Sequence, residues 1–118
     1  TIIGRVRNAA VFGLPGHPVS AVIIFKVFVE HLIDRMLGKI KESYFVDAEC
    51  STNIHSSPGK ETYQMVELAE NEKGYTAKPI HAKSSAISQL SKAHGMIRIP
   101  LDKEGIKVGE TVRVELFR

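Results

Sequence analysis

From Pro18 to Leu37 the chain reads PVSAVIIFKVFVEHLIDRML. Wound as a helix, it carries Val19, Val22, Ile23, Ile24, Phe25, Val27, Phe28, Val29, Leu32, Ile33, Met36 and Leu37 over well over half its circumference. A helix apolar on most sides is one that is buried on most sides. Its helicity has to come from packing, because so many of its residues are β-branched and stiff at χ1. Covering each large side chain contributes roughly 1.5–3 kcal/mol, so the sequence predicts that something larger than the rest of this chain covers the helix. Pro18 suits a first helical position, where its missing N–H is one the helix would not pair. Gly38 is a natural stop. Lys26, Glu30 and Asp34 recur every four residues, as do His31 and Arg35, which predicts one shared polar face.

The 118 residues are enough for one ordinary domain, or a small domain with a piece of another. Ahead of the helix, Thr1–Val6 and Ala9–Leu14 read as short strands joined near Arg7-Asn8. After it, Tyr44–Thr52, Thr62–Glu70, Tyr75–Ile80, Gly95–Pro100 and Thr111–Phe117 read as strands, with turn signals at Ser57-Pro58-Gly59 and Glu72-Lys73-Gly74. Val112, Val114 and Leu116 alternate with Arg113, Glu115 and Phe117, the pattern of a strand with one covered face. Ser84–Lys92 reads as a short helix or an irregular loop. The boundary falls near Gly38–Ser43, dividing the chain into 1–40 and 41–118. The expected class is α+β, a strand–helix piece followed by a small barrel or curled sheet of five short strands.

Charge and cysteine content narrow the function classes. Sixteen basic and thirteen acidic side chains give a net charge of +3, with four basic and two acidic groups in residues 1–37 and twelve and eleven in residues 38–118. Neither part carries the dense basic stripe of a nucleic-acid binder. The apolar run Val19–Phe25 is too short to cross a bilayer. Cys50 is the single cysteine. That excludes an internal disulfide and points, with the lack of a signal-peptide pattern, to a reducing, cytoplasmic setting.

The stretch VFGLPGHPVSAV, Val11–Val22, places a strand, a Gly/Pro turn and a helix start in succession. The first N–H groups of a helix lack internal partners and the dipole adds positive charge there, so such a turn suits an anion. Gly13 and Gly16 let backbone approach a ligand, and Pro15 and Pro18 fix the turn in advance. An ordinary strand-to-helix connection has the same residues, and both readings stand on the physics alone. His17, His31, His55, His81 and His94 show no ligand-like pairing. Ser20, Ser84, Ser85 and Ser88 sit in no Gly-x-Ser-x-Gly elbow, and Ser84 suits a helix cap.

Read in order, these residues resemble a known family. GLPGHPVSA, Gly13–Ala21, closely resembles the GLPGNPVSA motif of the molybdopterin molybdenumtransferases, called MoeA in bacteria and represented by the gephyrin C-terminal region in animals. PGKETYQMVEL (Pro58–Leu68), KSSAISQLSKAHGMIRIP (Lys83–Pro100) and GIKVGETVRVELF (Gly105–Phe117) resemble later blocks of the family in the same order. The resemblance implies a strand–helix remnant of an α/β molybdopterin-binding domain in residues 1–40, then the family's C-terminal β-barrel domain in 41–118. The implied reaction is insertion of molybdenum from molybdate into adenylylated molybdopterin, with Mg2+ assisting and AMP released, in a homodimer.

By the same resemblance Gly13, Pro15, Gly16, His17, Pro18 and Ser85 are the residues expected at the molybdopterin cleft. The carboxylates for Mg2+ and molybdate are implied to lie upstream, so the 118-residue piece is expected to hold no cofactor and to be inactive alone. Two departures bear on chemistry. His17 replaces Asn and adds a group titrating near neutrality. Met65 stands where the family often has Arg, which removes a bidentate phosphate contact. The alternative reading is a non-catalytic β-barrel module whose apolar helix docks on a partner protein.

Overall fold

The computed structural model describes residues 2–16, 18–40, 43–80 and 90–117, with Pro18 described by its backbone alone. The chain forms two compact units: Thr1–Glu42 with Ala82–Leu90, and Ser43–His81 with Ser91–Arg118.

In the first unit β1 (Ile2–Val6) and β2 (Ala9–Gly13) form an antiparallel hairpin, with Ile2 opposite Gly13 and Val6 opposite Ala9. Arg7 takes the left-handed conformation (φ 56°) that closes the turn, and its carbonyl accepts from Arg5 Nε at 2.8 Å. All of β1 is exposed, and in β2 only Phe12 is half-buried. Two strands with neither face covered are marginal by themselves.

The expected helix is present as α1 (Pro18–Ile24), a π turn (Phe25–Val29) and α2 (Glu30–Met36). It stops as foreseen. Gly38 is left-handed (φ 69°), its N–H bonds the Arg35 carbonyl at 3.1 Å, and the Lys39 N–H bonds the Asp34 carbonyl at 2.8 Å, the Schellman arrangement that satisfies otherwise orphaned carbonyls. The polar face departs from expectation. Lys26 and Glu30 form the i,i+4 pair at 3.4 Å, and His31 and Arg35 are exposed, but Asp34 is only 8 % exposed. A π turn precedes it, in which the Glu30 N–H bonds the Phe25 carbonyl (i→i+5). Among the described helical residues no apolar side chain is fully buried, and Phe25, Phe28, Ile33 and Met36 are exposed.

The second unit is a closed barrel in the order β3-β6-β5-β7-β9, made of β3 (Phe45–Cys50), β5 (Thr62–Asn71), β6 (Gly74–Pro79), β7 (Gly95–Ile99) and β9 (Thr111–Leu116). These are the five strands that the alternation predicted, each ending within two residues of expectation. All neighbouring pairs are antiparallel except β3–β6. The period-two pattern does the sorting: Ala48, Cys50, Val66, Ala77, Ile97, Ile99, Val112 and Val114 point inward and form the core, with Val46 and Leu68 packed against it. A second ladder was not foreseen. β4 (Ile54–His55) and β8 (Gly105–Ile106) pair antiparallel and place Ile54 and Ile106 opposite each other in the same core. The expected helix or loop at Ser84–Lys92 lies outside the described residues as far as Gln89. Among the described residues no helix is long and apolar enough to cross a membrane.

Candidate functional site

The strand–turn–helix stands where the sequence put it. β2 ends at Gly13, Leu14-Pro15-Gly16 makes the bend, and α1 begins at Pro18. Gly13, Pro15 and Gly16 therefore lie on one continuous bend at a helix start. Leu14 and Gly16 are exposed and Pro15 is half-buried. His17 and Ser85 lie outside the described residues, so the bend is described without them.

The two glycines of the bend are not required by this chain's own fold. Neither has a positive φ. A Cβ on Gly16 would meet nothing within 4 Å, and one on Gly13 would come no closer than 3.4 Å, to the Ile2 Cβ, with the Ile2 backbone N and O at 3.8 Å. Elsewhere glycine is forced, as at Gly95, where a Cβ would sit 2.7 Å from Val114 Cγ1. The open space around Gly16 is the geometric content of the anion-turn reading. The backbone there is bare and accessible to whatever approaches it.

The barrel contributes a polar cluster that the sequence did not disclose. Tyr63 and Arg98 are opposite each other on β5 and β7, and both bond Glu61: the tyrosine hydroxyl at 2.9 Å and the guanidinium through Nε. Hydrogen bonding from Tyr63, and then from Arg98, holds the Glu61 carboxyl below its ordinary range. Burial, followed by the bond to Glu61, pushes the Tyr63 phenol up. The arginine thus pairs with this carboxylate at the surface, its side chain 67 % exposed. Met65 is 2 % exposed opposite Met96, which is 5 % exposed. The position where the family often has Arg is thus an apolar buried site in this chain.

Cavities open on the described part of the barrel. One, about 490 Å³, is lined by β4, β8 and the residues flanking them, with His55, Glu104 and Lys107 among its walls. Another, about 300 Å³, lies by Asp47, Glu49, Lys73 and Thr76. Among the described residues no three of His, Cys, Asp and Glu come together as cation ligands.

Residues 47–117 match the MoeA C-terminal region (domain IV). Along nearly all of its length the chain is similar to the molybdopterin molybdenumtransferase of Haemophilus influenzae, 29% identical over 118 aligned positions, gaps included, that cover 97% of this chain and 29% of the relative. It is 31% identical to molybdopterin molybdenumtransferase 1 of Mycobacterium tuberculosis H37Rv, over 87% of this chain and 26% of that protein. Among solved structures, the molybdopterin biosynthesis MoeA protein of Pyrococcus horikoshii superposes with a TM-score of 0.83 at 32% identity, over 98% of this chain and 28% of that one. The chain thus spans less than a third of the length of each of these relatives.

Proposed function

Because the chain belongs to the MoeA family, with the family's domain IV over residues 47–117, we propose that it is the C-terminal part of an enzyme of molybdenum cofactor biosynthesis, one that inserts molybdenum from molybdate into adenylylated molybdopterin. In this reading the bend Gly13-Leu14-Pro15-Gly16-His17-Pro18, with Ser85, forms one wall of the molybdopterin cleft. The bend offers unpaired helix N–H groups and bare glycine backbone to the pterin's phosphate, while its prolines hold that backbone in place without a ligand. The observation that carries this is Gly16: its freedom is unused by the chain's own fold, which leaves room for a neighbour. Mg2+ assists in the proposed reaction of the longer protein. No step is assigned to it on this chain.

The proposed partner is a second copy of the chain. The support is the exposed apolar surface of the first unit, where Ile2, Met36 and Leu37 are 75, 75 and 63 % exposed. An uncovered surface of that kind marks an interface. The test joins this segment to the upstream length its relatives have and measures molybdopterin affinity and molybdenum insertion. Insertion by the longer protein, lost on changing the bend, supports the reading. Unaltered insertion without the bend overturns it. An isolated barrel that captures a partner protein, in a longer protein with no affinity for molybdopterin, would favour the non-catalytic module instead.

A further inference from the structure

The β5–β7 ladder ends where Val66 faces Gly95. Beyond that point Leu68 still has Ala77 of β6 on one side, but on the other the strand has run out. His94 takes its place. Its N–H donates to the Val66 carbonyl at 2.9 Å, its carbonyl accepts from the Phe117 N–H at 3.0 Å, and its ring Nδ1 accepts from the Leu68 N–H at 3.0 Å. One exposed residue thus ties β5 to the segment following β9, and a side chain supplies one of the three bonds. An imidazole nitrogen accepts only when it carries no proton; in the charged ring both nitrogens are donors.

We infer that His94 is a proton-released clasp at the end of the β5–β7 seam: closed while Nδ1 is bare, opened when the ring is protonated and an N–H is set against an N–H. Histidine is the side chain suited to such a role near neutral pH. The charged side chains on the elements that meet here are Lys92 on its own segment, Arg98 on β7, Glu67 and Glu70 on β5, Lys78 opposite Glu67 on β6, and Arg113 and Glu115 on β9. An asparagine in place of His94 separates the imidazole's effect from theirs, because its Oδ1 stands where Nδ1 does and accepts at every pH.

The experiment is amide hydrogen exchange of the 118-residue chain, read on the segment 62–71 across about pH 5 to 8 and normalised to the intrinsic rate at each pH. Exchange at Leu68 is expected to rise roughly five-fold as the ring gains its proton, about the factor that one ordinary hydrogen bond is worth. In His94→Asn the profile is flat and protected, and in His94→Ala it is fast throughout. If the alanine variant does not fold, nitrogen NMR of the unaltered ring decides: Nδ1 is unprotonated at the upper end of the range. A flat profile in the unaltered chain, a pH step that survives in His94→Asn, or a proton on Nδ1 in the folded state at high pH overturns the inference.

Discussion

The first carbon of any side chain placed on Gly105 would collide with the carbonyl oxygen of Ile54. The two backbones press together where β8 crosses β4, and Gly105 also holds φ at +150°, which L side chains rarely adopt. Gly105→Ala therefore has to move β8 or strain it, at about 1–3 kcal/mol for the backbone alone. The expected outcome is a clear fall in thermal midpoint with Ile54 and Ile106 less protected from exchange. An unchanged midpoint would show that the close approach is dispensable.

Gly16→Ala should behave in the opposite way. With nothing near the missing Cβ, stability should stay within about 0.5 kcal/mol of the parent. In the lengthened enzyme, molybdenum insertion should fall, because the added methyl stands on the exposed bend. Loss of stability without loss of activity would reverse the assignment of the bend.

Ile99 and Val66 are fully enclosed in the barrel. Ile99→Ala removes methylenes from a closed core and should cost about 2–5 kcal/mol, read as a lower urea midpoint. A small effect would mean that the barrel can collapse around the gap.

Glu110 should make the barrel acid-sensitive. Its carboxyl lies below the ordinary value of 4.5, first because the Lys103 ammonium donates to it and next because the Lys107 N–H does. A folded value depressed below the unfolded one means the contribution is complete above the unfolded value and fades as pH falls through the folded one. Denaturant midpoints of the parent and Glu110→Gln should therefore differ at neutral pH and converge as the solution is taken well below 4.5. Parallel curves at every pH would remove Glu110 from the account.

The uncovered helix makes a prediction about mass. Light scattering should report an assembly larger than one chain, and Phe25→Ser with Phe28→Ser, at side chains 40 and 44 % exposed, should shift it toward the monomer. The 118-residue chain alone should insert no molybdenum. A monodisperse single copy, or turnover by the piece, would contradict these expectations.

The strands of the barrel were legible because alternation at Val112, Val114 and Leu116 reports burial directly, and the helix end because Gly38 has few other uses there. Asp34 was misplaced because a helical period says which residues share a face and not what else covers that face. The π turn at Phe25–Val29 went unread, since nothing in the local sequence marks it. β4 and β8 are two residues each, too short for any period. The Glu61–Tyr63–Arg98 cluster and the His94 bond join residues brought together only by strand register. The bend was recognisable as a motif, whereas its bare surroundings at Gly16 are a property of three dimensions.

The barrel closes between β3 and β9, where Phe45 faces Glu115. Its first strand therefore waits for its last. A polypeptide emerging from the ribosome can zip β5 against β6 early, but the seam cannot be sealed until almost the whole unit is out. Until then β3 offers an open edge to anything that pairs with strands, so a premature stop within β9 should send the nascent product toward aggregation or chaperones rather than leave a slightly shortened barrel.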